Sequence, residues 1–254
     1  MKNITLYLVI VLSLLSGCRK SDYLAEEDRI QMNDYGQGTG TVTWTKDREY
    51  LVEGPLFVNE GQVLTIEAGT VVRFRTGKGE NASALIVSRG GKIIARGTPA
   101  EPVIFTAEAD DLNGSLEKDA TGLWGGIIIL GNAPVNILAG EGYMEGIPVS
   151  EPRGYFGGPD PNDNSGVLKY ISIRHSGTNI GEGNEINGLT LAGVGRGTEI
   201  DYLEVISTAD DGVEIFGGTV NLRHMVVSGC TDDAFDYDLG WTGYGQFWLA
   251  VLHI

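Results

Sequence analysis

Asp201-Tyr202-Leu203-Glu204-Val205-Ile206-Ser207 is followed 22 residues later by Arg223-His224-Met225-Val226-Val227-Ser228, with a similar order of apolar and polar residues. An acidic turn follows each copy: Asp210-Asp211-Gly212-Val213-Glu214 after the first and Asp232-Asp233-Ala234-Phe235-Asp236 after the second. A more diverged copy is Lys169-Tyr170-Ile171-Ser172-Ile173-Arg174-His175-Ser176. Strands and turns that recur every 20 to 50 residues or so are typical of a solenoid, in which each coil buries its inward side chains against its neighbours.

The rest of the chain consists of short apolar runs between turn residues. Glycine accounts for 38 of the 254 residues, and helical periodicity is almost absent. The clearest strand-like runs are Val63–Ile66, Val71–Phe74, Ala84–Val87, Lys92–Ala95, Val103–Thr106 and Gly126–Ile129. We therefore predict an all-β fold, a parallel β-helix over residues 41–254, with a β-sandwich as the alternative. The strand-like ending Val251-Leu252-His253-Ile254 has no polar cap, so we expect the solenoid to be truncated at its C-terminus.

The N-terminus has the pattern of a secretion signal. Lys2 precedes an apolar run, Ile4–Leu15, which is shorter than the roughly 20 residues of a membrane-spanning helix. Leu15-Ser16-Gly17-Cys18 resembles the lipobox of bacterial lipoproteins, in which the cysteine becomes the lipidated first residue. We therefore predict a signal peptide over residues 1–17 and lipidation at Cys18, with an ordinary signal peptide as the alternative. Arg19 after the cysteine favours the outer membrane or the cell surface within the cell envelope.

Residues 18–40 are polar, acidic and then rich in glycine, which predicts a tether between the membrane and the folded domain. The whole chain has a formal net charge of −16. An acidic surface repels nucleic acid, so we expect none as a partner, and cations or neutral ligands are favoured. The acidity is also consistent with solubility alone.

Several segments resemble one family of exported proteins. Ala68-Gly69-Thr70-Val71-Val72-Arg73-Phe74, the run from Gly97 to Thr106, and Leu123-Trp124-Gly125-Gly126-Ile127 are similar to surface lipoproteins of Bacteroidota-type bacteria with a right-handed, pectin lyase-like β-helix. The segments 210–218 and 232–241 resemble later coils of the same group. The resemblance covers roughly Thr41 to Ile254. It implies a right-handed parallel β-helix in the cell envelope and no particular activity.

The two acidic turns are the strongest candidate for chemistry. Stacking the two late repeats places each acid of one coil beside an acid of the next, about 4.8 Å away. The candidate metal ligands are Asp210, Asp211, Glu214, Asp232, Asp233 and Asp236. Carboxylates this close need a cation, added hydrogen bonds or a shared proton, and Ca²⁺ accepts six to eight or so oxygen ligands. No zinc-type spacing and no nucleotide loop occurs, so we expect no organic cofactor.

Two other readings of these acids stay open. Asp beside Gly often caps a turn by accepting backbone amides, which would make the residues structural. In an extended segment the side chains of Asp210 and Asp211 should point to opposite sides, so only one register of the ladder could act as a site.

The third reading is catalysis. Pectin lyase-like folds include polysaccharide lyases and glycoside hydrolases, and a hydrolase uses two carboxyl groups, for which Asp211 and Asp233 are the candidates. A lyase needs a base, for which His175, Arg174, His224 and Arg223 are available. The Gly-His-Gly and Arg-Ile-Lys signatures of polygalacturonase-type hydrolases are absent.

Aromatic residues follow the acidic turns closely. We predict Trp241, Tyr244 and Tyr237 as a glycan-binding surface, and Phe235 and Phe247 as inward core residues. Together these features predict a lipid-anchored, non-catalytic module that binds polysaccharide or another surface partner, with calcium as a candidate cofactor. A polysaccharide lyase or glycoside hydrolase is the first alternative, and a purely structural, adhesin-like rod is the second.

Overall fold

The structure is a computed structural model that describes residues 29–77, 82–181 and 184–252. The predicted signal peptide, Cys18 and the first part of the predicted tether lie outside the described residues. In chain order the strands are β1 Ile30–Met32, β2 Val42–Trp44, β3 Tyr50–Val52, β4 Pro55–Val58, β5 Val63–Ile66, β6 Val71–Phe74, β7 Ala84–Val87, β8 Lys92–Arg96, β9 Val103–Ala107, β10 Gly126–Leu130, β11 Gly142–Tyr143, β12 Tyr155–Phe156, β13 Gly166–Arg174, β14 Thr178–Gly181, β15 Asn184–Ile186, β16 Leu189–Ala192, β17 Glu199–Thr208, β18 Val213–Phe216, β19 Asn221–Cys230, β20 Phe235–Asp238 and β21 Gly245–Val251. A short 3-10 helix spans Pro152–Gly154.

Three parallel sheets form the sides of a solenoid. The first sheet begins with β2, β5 and β8, the second with β1, β3, β6 and β9, and the third consists of β4, β7, β10, β16, β18 and β20. From β13 onward one long strand per coil serves the first two sheets, since residues Gly166–Lys169 pair with β8 and residues Ile171–Ile173 pair with β9. This is the predicted right-handed parallel β-helix, and the β-sandwich alternative is wrong.

The register between late coils confirms the 22-residue period. Asp201 pairs with Arg223 and Leu203 with Met225 between β17 and β19. The same offset pairs Glu214 with Asp236 between β18 and β20.

Each long strand bends sharply between the first and second sheets at one residue in the left-handed region. These residues are Tyr170, Tyr202, His224 and Phe247, with φ values of 51°, 53°, 50° and 62°. Non-glycine residues rarely adopt this conformation, but here it turns the chain through a corner without a loop. The corner therefore repeats in register from coil to coil.

The core fills the space between the sheets. Its members alternate with outward residues along each strand, as in β19, where Leu222, Met225 and Val227 are buried. Trp124 is fully buried, stacks on Phe74 with ring centroids 3.8 Å apart, and donates its indole N–H to the Arg174 carbonyl. No helix in the described part of the chain is long and apolar enough to cross a membrane.

The predicted tether is too long at its C-terminal end. Ile30–Met32 is a strand that pairs with β3, so the coils begin before residue 41. Arg29 donates to Glu49, and the amide of Thr39 donates to the Phe57 carbonyl. The apolar residues at Ile30 and Met32 pack on the core, which explains why this acidic segment folds.

A long excursion, residues 131–165, leaves the solenoid between β10 and β13 and covers the outer face of the third sheet. Its apolar residues Met144, Ile147 and Phe156 pack on outward side chains such as Phe57 and Ile128. This face is therefore buried over β4, β7, β10 and β16, whereas its outward residues in β18 and β20 remain partly exposed.

Candidate functional site

Five of the predicted metal ligands converge beside the third sheet and are called here the acidic cluster: Asp210, Asp211, Glu214, Asp232 and Asp236. One oxygen each from Asp210, Asp211 and Asp232 lies within 4.8 Å of the others, and the same holds for Asp211, Glu214 and Asp236. Asp211 belongs to both groups and is buried, whereas Asp232 is exposed. The cluster therefore runs from a buried end to solvent across two coils.

Asp210 and Asp211 each place an oxygen in the same group, because the segment is not extended and the condition for opposite-facing side chains is not met. Asp210 has a φ of 61°, because the chain turns here between β17 and β18. Alternation of side chains holds only for extended backbone. The amide of Asp210 is held by the Thr231 hydroxyl of the next coil, which fixes this turn.

A ladder of side chains through three coils anchors Asp211. The Asn187 Oδ1 accepts the amide of Asp211 at 3.1 Å, and the Asp211 Oδ1 accepts the amide of Asp233 at 2.9 Å. Asp211 is thus also the turn cap that the alternative reading predicted. Asp233 itself is exposed and belongs to neither group of carboxylates found among the described residues.

Asn187 also links the ladder to Glu214, because its Nδ2 donates to the Glu214 Oε2. Asn187 was not among the residues predicted for this site. The signal for it was present in the spacing, since Asn187-Gly188 precedes β16 in the same way that Asp211-Gly212 precedes β18.

Three carboxyls of the acidic cluster, those of Asp210, Asp211 and Glu214, have raised pKa values. Burial, together with the neighbouring Glu145 and Asp211, raises the pKa of Glu214 to about 8. Burial and the nearby Asp210, Asp236 and Asp232 raise the pKa of Asp211 to about 7, against the hydrogen bond from Asp233. Desolvation raises the pKa of Asp210 to about 6, with help from Glu185 and Asp232. These carboxyls repel one another and are poorly hydrated, so a cation would stabilise their ionised forms.

Glu145 is a further acid that sequence reasoning missed. It lies in the excursion, and burial, with Glu185, Asp210 and Asp238 nearby, raises its pKa to about 7. No repeat relates residue 145 to the acidic turns, so only the tertiary fold could place it here.

Two of the three predicted glycan-binding aromatics contact each other. Tyr237 and Trp241 contact each other in the aromatic layer at the end of the core, with centroids 5.5 Å apart, and Trp241 donates its indole N–H to the Val220 carbonyl. Trp241 is half-buried, which contradicts its predicted exposure, whereas Tyr244 is 79% and Tyr237 60% exposed.

Phe235 packs on the core, but Phe247 is 59% exposed. The inward prediction for Phe247 is therefore wrong. It occupies the same corner as His224 in the preceding coil, and that corner points outward.

The side chains predicted as lyase bases lie outside the acidic cluster. His175 is buried with its Nδ1 2.7 Å from the Ala120 carbonyl, and Arg174 donates to the Ser172 hydroxyl. His224 bonds Asp201, and Arg223 is exposed on the outer side of β19. None of these side chains belongs to either carboxylate group of the described chain.

By its fold and its acidic cluster, the protein is a parallel β-helix protein with a group of carboxylates beside the third sheet. Compared with known families, residues 36–253 match the model described as a pectate-lyase like beta helix domain. The chain therefore belongs to the family of pectate-lyase-like β-helix domains. No curated protein and no solved structure gives a significant match.

Proposed function

We propose that this protein is a lipid-anchored, non-catalytic module of the cell envelope that binds Ca²⁺ at the acidic cluster and holds polysaccharide through the bound ion. The observation that carries the proposal is the pair of carboxylate groups sharing Asp211. The charged groups that raise the pKa values of Asp210, Asp211 and Glu214 are all carboxylates, so an added cation is the natural partner.

Calcium suits this set of ligands. The cluster offers only carboxylate oxygens, which hard cations prefer, and two adjoining groups can supply several of the roughly six to eight oxygens that Ca²⁺ takes. The ligands come from turns and strands of two neighbouring coils, so the ion would join these coils.

The bound ion explains how an acidic protein could hold an acidic sugar chain. A net charge of −16 repels an anionic polymer, whereas Ca²⁺ near the exposed Asp232 could accept further oxygens from sugar carboxylates or hydroxyls.

The resemblance of the N-terminus to a lipobox supports the proposed location in the cell envelope. Lipidation at Cys18 would attach the solenoid to the outer membrane or the cell surface, in keeping with the similarity to Bacteroidota-type surface lipoproteins. The first described strand, β1, would then begin 12 residues after the lipidated Cys18.

A polysaccharide lyase or hydrolase is the second candidate, and the raised pKa values favour it. Carboxyls with pKa values of about 7 to 8, such as Asp211 and Glu214, suit general acid–base catalysis near neutral pH. Against it, Asp211 is held by the Asp233 amide and Glu214 by Asn187, as expected of fixed ligands and turn caps.

Binding of polygalacturonate, an anionic polysaccharide, tests the proposal. We expect purified protein to bind the polymer in Ca²⁺, to lose it in chelator, and to lose most of it in Asp211→Asn. Release of unsaturated or reducing sugar from the polymer would show that the protein is an enzyme and not a non-catalytic binding module. If the protein binds no polygalacturonate either with or without Ca²⁺, the structural, adhesin-like rod would be the remaining hypothesis.

A further inference from the structure

Four rings stack on the outer surface where the first and second sheets meet. We call Tyr170, Tyr202, His224 and Phe247 the aromatic ladder. Successive ring centroids are 4.6, 4.2 and 4.7 Å apart, and interplanar angles are 12°, 3° and 15°. Every ring occupies the left-handed corner of its coil, so the ladder is a repeated feature that follows the solenoid axis.

The ladder forms one wall of an open groove of about 520 Å³. The groove crosses the four coils of the ladder, a length of roughly 14 Å at about 4.8 Å per coil. Outward side chains of the second sheet line it, and the turn before β9 contributes to it. The lining residues beside the ladder include Pro99, Pro102, Ser172, Glu204, Val226 and Leu249.

Much of this lining is apolar and accessible to solvent. Tyr202, which has a neighbouring coil on each side, is 40% exposed. The rings stack face to face, so their edges point outward, and the edges of aromatic rings carry partial positive charge that attracts oxygen lone pairs.

The groove is close to neutral, unlike the protein as a whole. The Glu204 Oε1 accepts the Ser172 hydroxyl at 2.6 Å and lies 3.7 Å from the Arg174 guanidinium. Near the ladder, Asp201 lies 3.6 Å from the Lys169 ammonium and 2.7 Å from the His224 Nδ1. An uncharged ligand therefore meets little repulsion here despite the net charge of −16.

The hydrogen-bonding groups of the groove include strong acceptors. The Glu204 carboxylate is partly exposed and has acceptor capacity beyond its bond to Ser172. His224 Nδ1 donates to the Asp201 carboxylate, so its Nε2 is the ring nitrogen left to bond a ligand. A ligand that supplies hydroxyl donors, oxygen lone pairs and apolar C–H faces matches this lining.

We infer that the groove beside the aromatic ladder binds an uncharged, linear polysaccharide lying along the solenoid axis. The inference does not rest on the proposed function, because the groove has no residue in common with the acidic cluster. It assigns this protein a second carbohydrate site, independent of Ca²⁺.

The test is calorimetric titration of the protein, in chelator, with four neutral hexasaccharides: cellohexaose, xylohexaose, mannohexaose and laminarihexaose. We expect saturable binding of at least one, weakened about tenfold or more by Tyr202→Ala, because ring contacts are lost. Glu204→Gln should also weaken binding and preserves the side-chain volume, so it serves if Tyr202→Ala fails to fold. Tyr35→Ala, at an exposed ring outside the groove, should bind like wild type.

Absence of binding to all four sugars would overturn the inference. So would sugar binding that neither Tyr202→Ala nor Glu204→Gln changes. A proline-rich decapeptide added in parallel should not bind, and binding of this peptide with loss in both variants would identify a peptide groove instead. Because the titrations are done in chelator, Ca²⁺-dependent binding at the acidic cluster does not contribute to these outcomes.

Discussion

Asp211 carries two roles at one carboxylate. Its Oδ1 accepts the Asp233 amide, and the same carboxylate belongs to both groups of the acidic cluster. In the preceding coil the neutral Asn187 accepts the equivalent amide. An amide side chain is therefore sufficient to accept the backbone amide of the next coil. The negative charge at position 211 must serve another purpose.

Replacement of Asp211 can separate these roles. Asp211→Ala leaves the Asp233 amide without its acceptor and should lower the free energy of unfolding by about 1 to 2 kcal/mol. Asp211→Asn keeps an acceptor and removes a charge from a crowded cluster, so its stability in chelator should equal or exceed that of wild type. Urea unfolding measures both, and equal losses in the two variants would contradict the ladder role.

Glu214 makes the calcium-free protein sensitive to pH. Its pKa of about 8 lies above the ordinary value of 4.5, so between these values the folded state binds more protons than the unfolded chain. The free energy of unfolding therefore falls as the pH rises through this window. Glu214→Gln can still accept the Asn187 amide but does not titrate, so its melting temperature should fall less between pH 5 and 8 or so.

Thermal melts in chelator across this range check the expectation. Glu60→Gln, at an exposed turn residue, is the control and should keep the wild-type slope. An unchanged slope in Glu214→Gln would show that this carboxyl does not control the pH dependence.

Single residues also show where the sequence was insufficient to predict the direction of a side chain. The repeat aligned Tyr170, Tyr202 and His224, yet the inward prediction for Phe247 ignored that alignment. The left-handed turn at Asp210 breaks the alternation on which the opposite-side prediction rested. Backbone handedness at one residue has no reliable signal in side-chain type, so these details required the structure.

At the scale of elements, Arg153 fastens the excursion to the first coils. Its guanidinium donates to Asp34, Glu151 and Asn59 and lies 3.8 Å from the ring centre of Phe57. Hydrogen bonds to Asp34 and Glu151 hold the pKa of both carboxyls below their usual values, against the effect of burial.

Arg153→Met keeps the aliphatic stem and removes these bonds. We expect faster proteolysis within residues 131–165 and a loss of roughly 2 kcal/mol of stability, because charged hydrogen bonds in a half-buried site are lost. Arg96→Met, which breaks the exposed ion pair with Glu199, should have little effect on either measurement. Equal protection of the excursion in Arg153→Met would contradict the fastening role.

The elements themselves differ in how well the sequence predicts them. The period of 22 residues was sufficient to pair β17 with β19 and β18 with β20, because stacked coils must repeat their inward residues. The excursion has no repeat, and its apolar residues pack on the outside of the third sheet. The position of Glu145 near the acidic cluster therefore could not be predicted.

At the scale of the whole molecule, stability depends on contacts between neighbouring coils. The acidic cluster lies across one such contact, because Asp210, Asp211 and Glu214 come from one coil and Asp232 and Asp236 from the next. Repulsion between these carboxyls weakens the stacking, and an ion between them would reverse the effect. Under the proposed function, calcium binding at the acidic cluster would therefore strengthen the cohesion of the solenoid.

Calorimetric titration of the protein with Ca²⁺ at pH 7, paired with thermal melts, tests this claim most directly. We predict saturable binding with release of protons, since the carboxyls must ionise to bind the ion. The protein should gain about 2.7 kcal/mol of stability at 100 times Kd, and Asp211→Asn should abolish most of the binding. No heat of binding and an unchanged melting temperature in Ca²⁺ would contradict the account and leave these acids as turn caps.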